Sequence, residues 1–273
     1  MGNQYFERYR IGFIYLIVED IMKIKGIVSL ILLFLAVSFS LGAQAKTVTL
    51  TSLEWPPYTS ETLKAKGASA AVASAAFKAM GYTLSIEFYP WNRAVSYAKD
   101  DPKYAGYFPE YYSKENEADF VYSAPMGSGP LGFVERKDAQ VKWNTLADLK
   151  KVTVGVVNGY INTLEFDTMV TAKTLKAEAV NDDTTNVVKV ANKRIPLAVI
   201  DSNVLQYLVY NDKTAIPYRD AVQMNAKLLE IKTLHICFKK GSDGEKLAAV
   251  FNEGLTKINV EKIMKDYLDS ISR

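Results

Sequence analysis

A few short stretches of this 273-residue chain place aromatic and ionisable side chains at turns and strand ends, where they can meet a small molecule. Trp55-Pro56-Pro57-Tyr58 is a proline-stiffened turn whose aromatic faces can sandwich an apolar or cationic group; the alternative is ordinary loop packing. Tyr107-Phe108-Pro109-Glu110 ends a strand pattern. Phe108 is a candidate contact there, and Glu110 can receive an ammonium through a charge-assisted bond or stay a solvated loop carboxylate. Asn158-Gly159-Tyr160 follows a buried strand and is expected to open a helix whose free amides face an anionic group, although Gly159 can equally serve the turn alone. Asp201 ends another strand, as acceptor for an amine or as a helix N-cap. Trp91 falls on the apolar stripe of its helix and reads as core, whereas Arg93 lies off that stripe.

Other chemistries lack their parts. His235 is the one histidine and Cys237 the one cysteine, which removes a multi-histidine metal centre and an intramolecular disulfide. They alternate in Leu234-His235-Ile236-Cys237-Phe238, a strand pattern in which both read as structural. Metal-ligand spacing, a Ser-His-Asp set and a phosphate loop are all missing, so no metal, cofactor or catalytic residue is expected. A carboxylate pair of Glu110 with Asp201 keeps acid/base catalysis open as a lesser reading. Basic residues occur as isolated pairs such as Lys150-Lys151, which argues against a nucleic-acid partner.

The elements that must position these groups alternate as strand and helix, the pattern of an α/β architecture with mainly parallel sheets. Lys46 to Leu53 reads as a strand, and Val72, Ala75, Ala76, Ala79 and Met80 recur at helical spacing before Gly81. Leu84 to Phe88 returns to period two, and Trp91, Ala94, Val95 and Ala98 give a short helix. In the second half Thr145 with Asp148 forms a capping box ahead of the buried strand Val152 to Val157. Thr184 to Lys193 is a helix pattern, Pro196 to Ile200 a strand, and Ser202 to Tyr210 a helix capped from Asp201 or Ser202. Ser242 with Glu245 predicts a last capping box.

The start of the chain follows a different plan. From Met22, Lys23 and Lys25 precede the apolar run Ile27 to Phe39 and the small-x-small pattern Ala43-Gln44-Ala45, the layout of a signal peptide cleaved after Ala45. The run is too short for a bilayer span, which takes about 20 residues. Residues 1–21 read as an upstream start-site extension, since Glu19 and Asp20 interrupt their apolar run. Residues 46–273 are then expected to form the exported protein, with 29 basic and 27 acidic side chains once the four basic and three acidic residues of 1–45 are set aside.

The order of several pieces resembles the family 3 extracellular solute-binding proteins, the periplasmic binding proteins of polar amino-acid ABC importers. They are the leader, the Trp55 to Tyr58 turn, Pro90-Trp91-Asn92-Arg93-Ala94, Phe120-Val121-Tyr122-Ser123-Ala124-Pro125, Thr145 to Lys150 and Ala198-Val199-Ile200-Asp201. The resemblance implies a two-lobed type II fold, with lobe 1 formed by 46–136 plus 230–273, lobe 2 by 137–229, and two hinge strands near Phe133–Arg136 and Leu229–Lys232. It further implies a monomer that closes on its solute by hinge bending and presents it to an inner-membrane ABC permease or a sensor. Dehydratases and a peptidoglycan-lyase domain also use this fold.

The chain departs from the family's pattern at three places. The segment that usually supplies a carboxylate-clamping arginine is Ser113-Lys114-Glu115-Asn116-Glu117 here, which leaves Arg93 as a substitute clamp. Gly67 leads into Ala68-Ser69-Ala70-Ala71-Val72 without the usual acidic residue, and Gly159-Tyr160 replaces a common Gly-Thr.

Overall fold

The computed structural model describes residues 46–271 and Met22; the expected start-site extension, signal peptide and cleavage position lie outside the described residues. The described chain from Lys46 onward holds ten strands and seven α-helices, none of them long and apolar enough to cross a membrane.

Alternation of threonine with Val48 and Leu50 makes β1 (Lys46–Ser52) a strand, and from Leu50 onward both its faces are buried. It pairs in parallel with β2 (Tyr82–Phe88) and with β3 (Gly106–Tyr111). The crossovers are α1 (Ala68–Ala79) and α2 (Trp91–Asp100). Helix α1 is mostly alanine, the residue that loses least on entering a helix. Its small side chains admit a close neighbour: a methyl group on Gly254 of α6 (Ser242–Thr256) would lie 2.3 Å from the Ala76 carbonyl oxygen. The chain continues through β4 (Phe120–Tyr122) and β5 (Ser128–Arg136).

A second set repeats the plan. Strand β6 (Thr153–Val157) runs parallel to β7 (Lys176–Val180) and to β8 (Leu197–Asp201). Helices α3 (Leu164–Thr171), α4 (Asp183–Ala191) and α5 (Ser202–Asn211) accompany them. Strand β9 (Val222–Met224), β10 (Glu230–Lys239) and α7 (Val260–Ile271) complete the fold.

Strand β10 belongs to both sheets. Glu230–Thr233 pairs antiparallel with β5, and Leu234–Phe238 pairs with β3, while Cys237–Lys239 also pairs with β4. The change of sheet on this strand therefore falls between Thr233 and Leu234. The other expected crossing, Phe133–Arg136, is embedded in the second sheet, where it pairs with β8 and β9. His235 is held by the Thr233 hydroxyl at Nε2 and the Ser123 carbonyl at Nδ1, both at 2.8 Å, and Cys237 is buried.

The Thr145–Asp148 capping box is present, and Asp201 caps α5 by accepting from the amides of Asn203 and Val204. The box expected at Ser242 is not formed. Gly241 takes the cap position of α6 at φ 131°, a conformation open to glycine and strained for other residues.

Candidate functional site

The strand ends of the two sheets face each other, and the aromatic turn after β1 lies between them. A bend closed by the Trp55 and Tyr58 amides bonding to Thr59 and Trp55 carbonyls stacks the two rings at 4.7 Å between centroids. Trp55 also meets Tyr111 edge-on at 5.9 Å and Tyr160 at 6.5 Å, so rings from the turn after β1, from β3 and from the loop after β6 form one cluster. Trp91, at the start of α2, joins it with its ring 5.9 Å from Tyr160. Its indole N–H donates to the Gly159 carbonyl at 2.9 Å. Trp91 is buried, as its helical stripe predicts, but it also ties α2 to the second sheet's loop.

Three carboxylates sit among these rings. Asp201 accepts from the Tyr58 hydroxyl at 3.1 and 3.2 Å and from the Tyr111 hydroxyl at 3.4 Å, while Asn203 Nδ2 donates to Tyr58 Oη at 2.7 Å. Gly129 makes this meeting possible: a Cβ there would lie 2.0 Å from Asp201 Oδ2 and 2.5 Å from Tyr58 Oη. Burial pushes the Asp201 carboxyl up to about 7, against the lowering effect of its amide and tyrosine donors. Glu110 accepts from Tyr107 Oη, the Tyr111 amide and, at 3.4 Å, Asn116 Nδ2. Burial raises it to about 8 even so. Asp183, the first residue of α4, is pushed up to about 7 by burial and then by Asp201 and Asp182, with the nearby Trp55 side chain opposing the rise.

Little room is enclosed between the sheets. The space bounded by Trp55, Trp91, Glu110, Tyr111 and Tyr160 is about 20 Å³, near the size of one water. Larger open pockets lie on either side, one of about 540 Å³ reaching Asp183 and one of about 780 Å³ reaching Lys232, and Tyr160 lines all three.

Of the residues singled out in the sequence, the structure brings Trp55, Tyr58, Glu110, Gly159, Tyr160 and Asp201 together in this region. Phe108 is fully buried, and only its carbonyl is engaged nearby, accepting from the Ser52 hydroxyl. Asn158 is exposed and bonds Asn181 at 3.0 Å. Arg93 is exposed on α2 and lines none of these pockets, so it does not stand where a clamp for a bound carboxylate would. The expected helix at Asn158–Tyr160 starts later, at Leu164, because Thr163 provides the cap by accepting from the Phe166 amide. No helix amide set is therefore offered by Gly159 and Tyr160. Tyr111 and Asp183 escaped the sequence reading: every residue of β3 is buried, which erases the alternation that would mark Tyr111, and Asp182-Asp183 reads as helix capping.

The architecture is the two-lobed type II periplasmic binding protein fold, in which paired α/β sheets flank a cleft. A histidine kinase sensor domain with similarity to periplasmic binding proteins superposes with a TM-score of 0.69 at 15% identity over 84% of this chain and 96% of its own. An ancestral arginine-binding protein, bound to arginine, gives 0.66 at 17% identity over 84% and 99%. The amino acid ABC transporter substrate-binding protein AbpA of Streptococcus pneumoniae, bound to L-arginine, gives 0.66 at 13% identity over 83% and 96%. Neither a protein-family description nor a curated protein matches the sequence.

Proposed function

We propose that the chain is a periplasmic solute-binding protein that captures a small amine-bearing solute between the two sheets and hands it to an ABC permease. The observation that carries this reading is the convergence of Asp201 with Tyr58 and Tyr111 beside the Trp55–Tyr160 cluster, a buried acceptor ringed by aromatic faces from both sheets. The similar proteins of this fold that bind arginine, itself a cation, support it. If the lobes divide with the sheets, β5 and Glu230–Thr233 go with the second sheet, so lobe 1 would be 46–127 plus 234–273 and lobe 2 would be 128–233, a shift from the bounds at 136 and 230.

A sensory module that closes on the same solute and signals to a membrane receptor is the second reading, favoured by the likeness to a histidine kinase sensor domain. A dehydratase- or lyase-type enzyme is the least supported, since Glu110 is already bonded by three neighbours of its own segment. Glu110→Gln abolishing turnover of a cyclic acid while sparing its binding would revive it.

The test is a thermal-shift screen of the purified protein against amino acids, amines and small organic acids, since ligand at about a hundred times Kd adds about 2.7 kcal/mol. Stabilisation by at least one of them, lost in Asp201→Asn, is expected. A flat response to all three classes would overturn the binding reading. The presence or absence of neighbouring permease and ATPase genes then separates import from sensing.

A further inference from the structure

The two pockets beside Tyr160 differ in charge. The one of about 540 Å³ is bordered by the carboxylates of Glu54, Glu61, Asp182, Asp183 and Asp212, and by no lysine, arginine or histidine. Three of those carboxylates are occupied locally: Glu54 accepts from the Glu61 amide, Asp182 from Thr185 and Asp212 from the Thr214 and Ala215 amides. Asp183 is different. It is 7% exposed, its roughly four acceptor positions have only the nearby Trp55 side chain to favour their charge, and two further carboxylates are its charged neighbours. A buried carboxylate so poorly compensated needs donors from elsewhere, and the pocket lies directly beside it. The walls there are Trp55, Trp91 and Tyr160, drawn from both sheets, and such rings attract cations through their faces.

We propose that this pocket is a subsite for an organic cation, held by the Asp183 carboxylate against the Trp55, Trp91 and Tyr160 rings, so that the solute is an amine or quaternary ammonium compound and needs no carboxylate of its own. The volume suits it, since small-molecule sites run from about 300 to 1,000 Å³. The exposed position of Arg93 agrees, because no arginine borders the pocket to pair with an acid. The inference rests on the reading that the cleft binds a solute and adds the sign of its charge and the place where that charge sits.

Calorimetric titration of the purified protein with putrescine, spermidine, choline and L-arginine, alongside succinate and L-glutamate, tests it. At least one cation is expected to bind, to weaken as salt rises, and to lose about tenfold in affinity in Asp183→Asn. Glu61→Gln, at the exposed rim, should cost a smaller factor and serves if Asp183→Asn does not fold. Lys114→Ala, across Tyr160, should leave the affinity unchanged. Binding of the acids alone would overturn this inference and leave the solute-binding reading standing. Cation binding indifferent to both carboxylate substitutions would likewise place the cation elsewhere and overturn it. Failure of every probe to bind, together with a flat thermal-shift screen, would remove both.

Discussion

Glu110 and Asp201 are both buried carboxylates bonded by tyrosine hydroxyls, but their partners come from different distances along the chain. Those of Glu110 lie within six residues, at Tyr107, Tyr111 and Asn116, so its network closes on one strand and the loop after it. The tyrosine partners of Asp201 are Tyr58, 143 positions away on the turn after β1, and Tyr111, 90 away at the end of β3. The same chemistry therefore serves local order in one place and joins two sheets in the other. Only the second can sense how the sheets are arranged.

The largest effect should come from pH, which acts on both carboxylates and on Asp183. All three have folded-state values raised by burial, to about 8 for Glu110 and about 7 for Asp183 and Asp201. Between the ordinary carboxylate value near 4 and those values the folded chain holds more protons than the unfolded one, so stability falls as pH rises through that window. Chemical unfolding midpoints should therefore drop steadily from pH 5 to pH 8, and Glu110→Gln should flatten the upper part of that slope while its one remaining oxygen can still accept from the Tyr111 amide. A midpoint rising over this range would contradict the burial argument.

Next in size is Asp201→Ala, which removes the α5 cap and leaves two buried tyrosine hydroxyls short of an acceptor; a loss of about 3 kcal/mol in urea unfolding is expected. If Glu110→Gln proves more costly at neutral pH than Asp201→Ala, the contrast between local and sheet-joining carboxylates is broken. The smallest is Trp91→Phe, which deletes one bond to the Gly159 carbonyl, about 1 kcal/mol. It sharpens the comparison if small-angle scattering also shows the molecule expanding, an effect Glu110→Gln should not have.

Sequence legibility followed the strength of local signals. Strands β1, β2, β6 and β8 and the helices after residues 67, 90 and 201 carry clear periodicity and sit within a few residues of where it places them. The failures are at boundaries set by backbone geometry: Gly241, with no capping box from Ser242, caps α6, and Thr163 rather than the Asn158-Gly159 turn caps α3. At the site, aromatic and acidic residues on turns were visible, because turns advertise themselves through proline and glycine. Tyr111 and Asp183 were not, since what brings them to the cleft is the pairing of distant strands. Arg93 looked available for an anion, but its place off the apolar stripe of its helix is the local sign that it faces solvent, as it does.

Strand β10 carries one further consequence. A single run of ten residues serves both sheets, and an extended strand can be twisted far more easily than it can be lengthened. On the proposed hinge-bending reading it would work as an axle, a swing of one sheet against the other becoming torsion over a peptide or two at Thr233–Leu234. Amide exchange along this one strand would then report both halves at once, with the Glu230–Thr233 amides keeping time with the second sheet and Leu234–Lys239 with the first.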